Sequence, residues 1–335
     1  MAELVLIAMV VVVILYAVLG GADFGLGMVE PWLGAEGRER VDRALLPVWE
    51  VNHVWLVLLV VLGFVAFPAA FSLVAIHLHI PLLLVLLGIV ARGSAFTFRH
   101  YDPHAGALDR WYTWAFRLGS ALTPLFLGVI AAAGVEGRLP EQPGQDFYAS
   151  FIGPWNTPFC WITGAFCCAL FAFQGAALLA AELGAPVGEP LPYLRLARRL
   201  HAASVALGAL VLALAYVSDA AGLRHVLRHP WSWACLAAAT LLIPVIAYAF
   251  AHGRAWWLRL SSGAQLACVL IGLWGPNYPA LLFHRAGALT VAQAAAPPAT
   301  LRTLLIALVI GLALIVPSLV YLLRVYKAPG AEPVR

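Results

Sequence analysis

Two short stretches of this chain place ionisable side chains where chemistry could use them, and both lie in apolar surroundings. The first is Gly20-Gly21-Ala22-Asp23-Phe24-Gly25-Leu26-Gly27-Met28. A carboxylate inside a membrane helix costs about 2.5–3.5 kcal/mol at mid-depth and less near the interface. Asp23 is therefore either a proton-handling group or an interfacial cap or ion-pair partner. The glycines are no phosphate loop, since no strand precedes them and no Lys-Ser/Thr follows. Gly21 and Gly25 instead have the small-xxx-small spacing that lets helices approach closely. The second stretch is Trp49-Glu50-Val51-Asn52-His53-Val54-Trp55. Glu50 and His53 share a helix face at three residues, and Trp49 joins it at four. A carboxylate and an imidazole in low dielectric can exchange a proton, and Asn52 can hydrogen-bond either form. An interfacial tryptophan belt explains Trp49 and Trp55, but not a Glu, an Asn and a His together.

Other residues carry weaker signals. His77 and His79 are two apart, so they point to opposite sides of a helix and cannot share one metal. Each is either a separate haem ligand or a hydrogen-bonded packing residue. Arg92 and Arg99 read as anchors at a helix end, with pairing to a buried carboxylate as the other option. Cys160, Cys167 and Cys168 have no metal-binding spacing and read as small apolar filler. Gln174, Gly175 and Glu182 are placed for contacts between helices.

The elements that must position these groups follow from composition. Of 335 residues, 63% are hydrophobic and 11% charged, with a mean hydropathy of +0.91. A soluble domain has about 45–50% apolar and about 25% charged residues, so the chain lacks the charge to cover a globular surface. Disorder is excluded by the apolar content, and five scattered cysteines exclude a disulfide scaffold. No basic stripe with interleaved aromatics points to nucleic acid. The class that remains is an all-α polytopic membrane protein, read as one integral membrane domain over 1–335.

Nine segments are apolar for about 20 residues, the length that spans a bilayer. They lie at roughly 4–26, 50–70, 73–92, 112–134, 157–182, 200–219, 231–252, 257–276 and 301–324. The acidic start and the missing small-residue cleavage site make the first a retained helix rather than a signal peptide. With the N-terminus outside and the C-terminus in the cytoplasm, fifteen of the twenty Lys and Arg residues fall on the inner side and five on the outer, a positive-inside bias. Two long outer connections, 135–156 and 277–300, are rich in Pro and Gly, and neither is long enough for a separate domain.

Gly21-Ala22-Asp23-Phe24-Gly25-Leu26-Gly27-Met28 resembles the first-helix motif of subunit II of cytochrome bd-type terminal oxidases. The resemblance extends through Trp49-Glu50-Val51-Asn52-His53-Val54-Trp55-Leu56, Phe67-Pro68, Arg92-Gly93-Ser94-Ala95-Phe96-Thr97-Phe98-Arg99, Gln174-Gly175-Ala176 and Tyr278-Pro279. It implies two four-helix bundles plus one extra helix in a bacterial cytoplasmic membrane. It also implies a heterodimer with a subunit I that carries haem b and haem d type groups, the oxygen site and the quinol site. This chain would bind no haem or metal itself. It would stabilise subunit I and supply part of a cytoplasmic proton path through Asp23, Glu50, Asn52 and His53. Trp49, Trp55, Arg92 and Arg99 would be structural or partner-facing. Small single-span accessory subunits, membrane lipids and a quinone held as a structural lipid are further expected partners. The sequence departs from the family pattern at three positions: Glu50 stands for the usual Asp, His53 for the usual Gln or Glu, and Gly20 where a second Asp is common. These departures leave the electron donor open between a quinol and another carrier, such as a c-type cytochrome. Two competing readings are a proton-coupled secondary transporter using Asp23 and Glu50, and a haem-binding membrane anchor using His53, His77 or His79.

Overall fold

The computed structural model describes residues 1–45, 49–101, 108–182 and 192–326. It is almost entirely helical. The first span runs from α1 (Ala2–Leu15) through a π-helical turn (Tyr16–Gly20) into α2 (Gly21–Val29) and ends in a 3-10 turn (Glu30–Trp32). At 1.5 Å per residue its 31 residues are about 46 Å long. The hydrocarbon core is about 30 Å thick, so Glu30 stands beyond the stretch that apolar length alone accounts for. After α3 (Gly34–Leu45), a polar amphipathic helix, come α4 (Trp49–Ala66), α5 (Pro68–His77), α6 (His79–Tyr101) and α7 (Asp109–Glu136). The short α8 (Phe147–Phe151) precedes α9 (Pro158–Glu182) and α10 (Pro192–Val217). The remainder is α11 (Ala221–Arg228), α12 (Pro230–Ala251), α13 (Ala255–Trp274), a hairpin of β1 (Ala280–His284) and β2 (Gly287–Thr290), α14 (Val291–Ala294) and α15 (Pro298–Tyr326).

Among the described residues, eight helices are long and apolar enough to cross a membrane, and a bent pair brings the number to nine. That pair differs from the sequence expectation. The spans expected at 50–70 and 73–92 are instead α4, a separate helix α5 turned from it by 115°, and α6 starting at His79. Pro68 supplies no amide to continue α4, and the residue before a proline avoids helical geometry. Phe67 accordingly leaves the helix at φ −132°, ψ 60°, and Pro68 opens α5. Hydropathy could not locate this break, because α5 is as apolar as a true span. The carbonyl of Ala66, left over at the end of α4, accepts a hydrogen bond from the Ala296 amide at 2.8 Å.

The helix α9 is the most enclosed span and α15 the least. α9 packs against α2, α7, α10 and α13. Its closest approach is to α2: a Cβ built on Gly25 would lie 1.8 Å from the Phe171 carbonyl oxygen, and one on Gly175 would lie 2.3 Å from the Gly25 carbonyl carbon. The two backbones touch where neither has a side chain, which fits the small-residue spacing noted in the sequence. At the far end of α7 the two long connections fold onto each other. Leu139 bridges His284, and the Arg285 amide donates to the Leu139 carbonyl at 2.9 Å.

Replacing Gly25 with Val forces these backbones apart, at a cost of about 1–3 kcal/mol or more. The expected result is loss of assembled protein in mild detergent or a clear fall in its melting temperature. Gly311→Ala, where an added Cβ meets nothing within 4 Å, should leave both unchanged.

Candidate functional site

A column of buried charge joins the first span to α6 and α7. Asp23 and Glu30 are seven residues apart on the first span, as are Arg92 and Arg99 on α6. Seven residues are close to two helical turns, about 10 Å, so each pair lies on one face. The pairs meet in register. Arg92 holds Asp23 Oδ1 at 2.5 Å, and Arg99 holds Glu30 Oε2 at 2.8 Å. Both carboxylates and both guanidinium groups are buried. The ring of Phe116 from α7 separates the two rungs, with its centroid 5.3 Å from the Arg92 guanidinium carbon and 4.4 Å from that of Arg99. Desolvated cation–π contacts of this kind contribute about 2 kcal/mol each.

Further donors and acceptors complete the column. Arg92 also donates through Nε to Ser120 Oγ at 3.1 Å and through Nη to the Asp23 carbonyl at 3.3 Å. Gly27 makes room for this serine, since a Cβ there would lie 2.1 Å from Ser120 Oγ. Arg117 donates to Glu30 Oε1 at 3.1 Å, and Arg99 also binds Asp42 from α3. The upper rung balances one acid with one base, and the lower balances two with two. Burial raises the proton affinity of Asp42 above that of an ordinary carboxylate, with Arg99 acting in the opposite sense. Arg38 and Asp109 form a doubly hydrogen-bonded pair at 2.6 Å, about a third exposed; at that exposure it contributes little to stability. Asp23 Oδ2 has no hydrogen-bond partner, and the same is true of the hydroxyl of Tyr16, seven residues earlier.

The expected site residues separate into three groups. Asp23 and Arg92 come together, and Arg92 and Arg99 turn inward to pair within this chain rather than facing outward as anchors. Asn52 is buried at the head of α4 and donates to the Leu19 carbonyl at 3.3 Å, one turn before Asp23. His53 is half-buried and Trp55 is buried. The side chains of Glu50 and Trp49 lie outside the described residues. His77 and His79 diverge: the first is buried and paired with the Ser150 carbonyl, the second exposed and paired with that of Ile76, each at 2.8 Å. Among the described residues no group of three or more His, Cys, Asp or Glu is placed to hold a metal.

Several residues were missed by the sequence reading. Glu30, Asp42, Phe116 and Ser120 belong to the column, and the seven-residue spacing of Asp23–Glu30 and Arg92–Arg99 was the signal that could have found the first. At the other end of α7, buried Glu136 accepts from Thr157 Oγ1 at 2.8 Å, Cys160 Sγ at 3.3 Å and Arg138 Nε at 2.8 Å. Cys160 is therefore a hydrogen-bond donor as well as filler.

Residues 1–326 match the family model described as cytochrome bd terminal oxidase subunit II. The chain belongs to this family. As a subunit II family member it is similar to the cytochrome bd ubiquinol oxidase subunit 2 of Bacillus subtilis (strain 168), 33% identical over 133 residues that make up 39% of each chain. It is also similar to the cytochrome bd-I ubiquinol oxidase subunit 2 of Escherichia coli (strain K12), 28% identical over 174 residues, 50% of this chain and 45% of that one. These alignments span less than half the length of either relative. Among solved structures, bd oxidase from Geobacillus thermodenitrificans has a chain of the same fold, with a TM-score of 0.78 over 97% of this chain and 98% of that one at 21% identity.

Removing one partner of a buried ion pair strands the other charge, at a cost of about 3–5 kcal/mol. Arg92→Gln should therefore lower the thermal stability of the detergent-solubilised protein strongly. The double variant Asp23→Asn/Arg92→Gln should recover much of that loss, and thermal melts of the two single variants and the double one check this as a cycle.

Proposed function

We propose that this chain is the subunit of a bd-type quinol oxidase that carries a proton route and no redox centre. The observation that carries the reading is the buried Asp23–Arg92 and Glu30–Arg99 column, which runs inward from the arginine-rich end of a membrane helix bundle. In this reading the protein lies in a bacterial cytoplasmic membrane with its N-terminus outside and its C-terminus inside. The spans form two four-helix bundles, with α15 as the extra helix. A homologous subunit I is the partner and holds the haem b and haem d type groups. Those haems supply electron transfer from quinol and the reduction of oxygen to water. Small accessory subunits and a structural quinone belong to the same picture.

Reducing oxygen to water consumes protons, and a proton entering a dry bundle needs titratable groups linked by polar side chains or water. Glu50 and His53 at the head of α4 are the entry groups on this reading. Asn52 bonds the first span one turn from Asp23, which puts α4 beside the next carboxylate. Asp23 is suited to relay because Arg92 fixes one oxygen while the other is left to accept and release a proton. The arginine also limits the cost of the charged state. The stabilising role toward subunit I rests on the apolar surface of α15 and of the outer faces of α4 and α6.

The transporter reading has one feature in its favour, the break between α4 and α5. Transporters of that design repeat the break in their second half, and one bent pair is present among the described residues.

Glu50→Gln removes the proton-accepting group at the entry while keeping its size. Oxygen uptake driven by quinol should fall by about tenfold, the effect of a barrier increase near 1.4 kcal/mol, with reduced-minus-oxidised haem spectra unchanged. Glu50→Asp should recover most of the rate. Full turnover in the Gln variant would remove Glu50 from the route.

A further inference from the structure

Beside the lower rung of the column, the surface opens into a cavity of about 540 Å³ between the Glu30–Trp32 turn, α3 and the start of α7. Its walls include Arg38, Asp109, Arg110, Thr113, Trp114 and Arg117. The acids there are already matched, Asp109 by Arg38 and Glu30 by Arg99 and Arg117. Arg110 has no acidic partner among the described residues, so the cavity keeps one excess positive charge. Two donors remain for a ligand besides Arg110. The buried hydroxyl of Thr113 has no partner, and Arg117 gives Nε and one Nη to Glu30, leaving its second Nη for another acceptor.

A second, narrower groove of about 320 Å³ shares Pro31 and Arg117 with this cavity and runs on beside Ala121, Cys168, Ala169 and Ala172. Its lining is small and apolar, and from Arg117 to Ala121 it descends one turn of α7 toward the membrane interior. Two exposed tryptophans mark its level: Trp114 borders the polar cavity and Trp32 borders the groove. Exposed tryptophans of membrane proteins concentrate at headgroup depth. A polar, net positive chamber therefore lies beside an apolar slot, with Pro31 and Arg117 lining both, at the depth where a lipid changes from headgroup to acyl chain.

We propose that the two cavities together bind one phospholipid with an acidic headgroup. Its phosphodiester sits against Arg110, Thr113 and the second Nη of Arg117, and one acyl chain lies along Ala121, Ala169 and Ala172. Basic pockets between membrane helices select anionic headgroups by the same charge complementarity, and guanidinium groups match phosphate geometry. Because Arg117 also holds Glu30, the bound lipid shares a cation with the buried column.

The test uses the intact membrane complex purified in mild detergent and stripped of loosely held lipid. Native mass spectrometry reads binding of phosphatidylglycerol, phosphatidylcholine or inorganic phosphate, and haem absorbance reports assembly. Phosphatidylglycerol should be retained in preference to phosphatidylcholine. Arg110→Gln should weaken its binding by about tenfold, the loss of one charge-assisted hydrogen bond, and Ala169→Phe should weaken it by obstructing the groove. Equal retention of the two lipids, or undiminished phosphatidylglycerol binding in Arg110→Gln, overturns the proposal. So does displacement of the lipid by equimolar inorganic phosphate, which would make this a free-anion site, or by a short-chain quinone. None of these readouts is turnover, so the result stands apart from the proton route.

Discussion

Charge is expensive where water and counterions are scarce, and that cost shapes the packing of this protein's first half. Moving an isolated ion of carboxylate size into a low-dielectric interior costs about 20 kcal/mol in the ideal limit and several kcal/mol after relaxation. The first span nevertheless buries Asp23 and Glu30, and α6 buries Arg92 and Arg99. Each is paired across to the other helix, so the first span and α6 are locked in register at two points about 10 Å apart. α7 completes the arrangement with Phe116 between the rungs, Ser120 on Arg92 and Arg117 on Glu30. Glycines at 25 and 27 let α9 and α7 come close enough to the first span to close it off.

That construction connects stability to the proposed function. Asp23 keeps one oxygen on Arg92 and one without a hydrogen-bond partner, so the proposed proton route asks the same carboxylate to hold the charge and to handle a proton. On that proposal, protonation of Asp23 would weaken its pair with Arg92, while the second rung, Glu30 with Arg99, would still hold the register. The opposite end of the molecule is built differently. There Glu136 is surrounded by Thr157, Cys160 and Arg138, and the hairpin and the 138–157 connection tie themselves together through Arg285. One end is organised around paired charges facing an arginine-rich surface, the other around a closed cap.

Much of this could be read from residue order. Apolar length located the helices, because nothing else in a chain this poor in charge provides a surface. The glycines beside Asp23 indicated close packing, and the motif at 21–28 indicated the family. What escaped depends on three-dimensional partnership. Arg92 and Arg99 look like ordinary helix-end anchors until the matching spacing of Asp23 and Glu30 is set beside them. Glu30 sits past the apolar stretch of the first span and so falls outside a hydropathy window. The turn at Phe67 was hidden because α5 has the composition of a span and only Pro68 betrays it. Cys160 looked like filler because its acceptor, Glu136, is on a different helix.

The most direct test of the central claim is oxygen-pulse proton uptake by the assembled complex in proteoliposomes carrying Asp23→Asn. The substitution keeps the side chain's size and a hydrogen-bonding oxygen for Arg92 but removes the ionisable carboxyl group that the proposed route requires. The account predicts normal haem spectra, with proton uptake and oxygen consumption falling together by about tenfold or more. Wild-type rates of both, with the haems intact, would contradict it and leave the buried column a purely structural device.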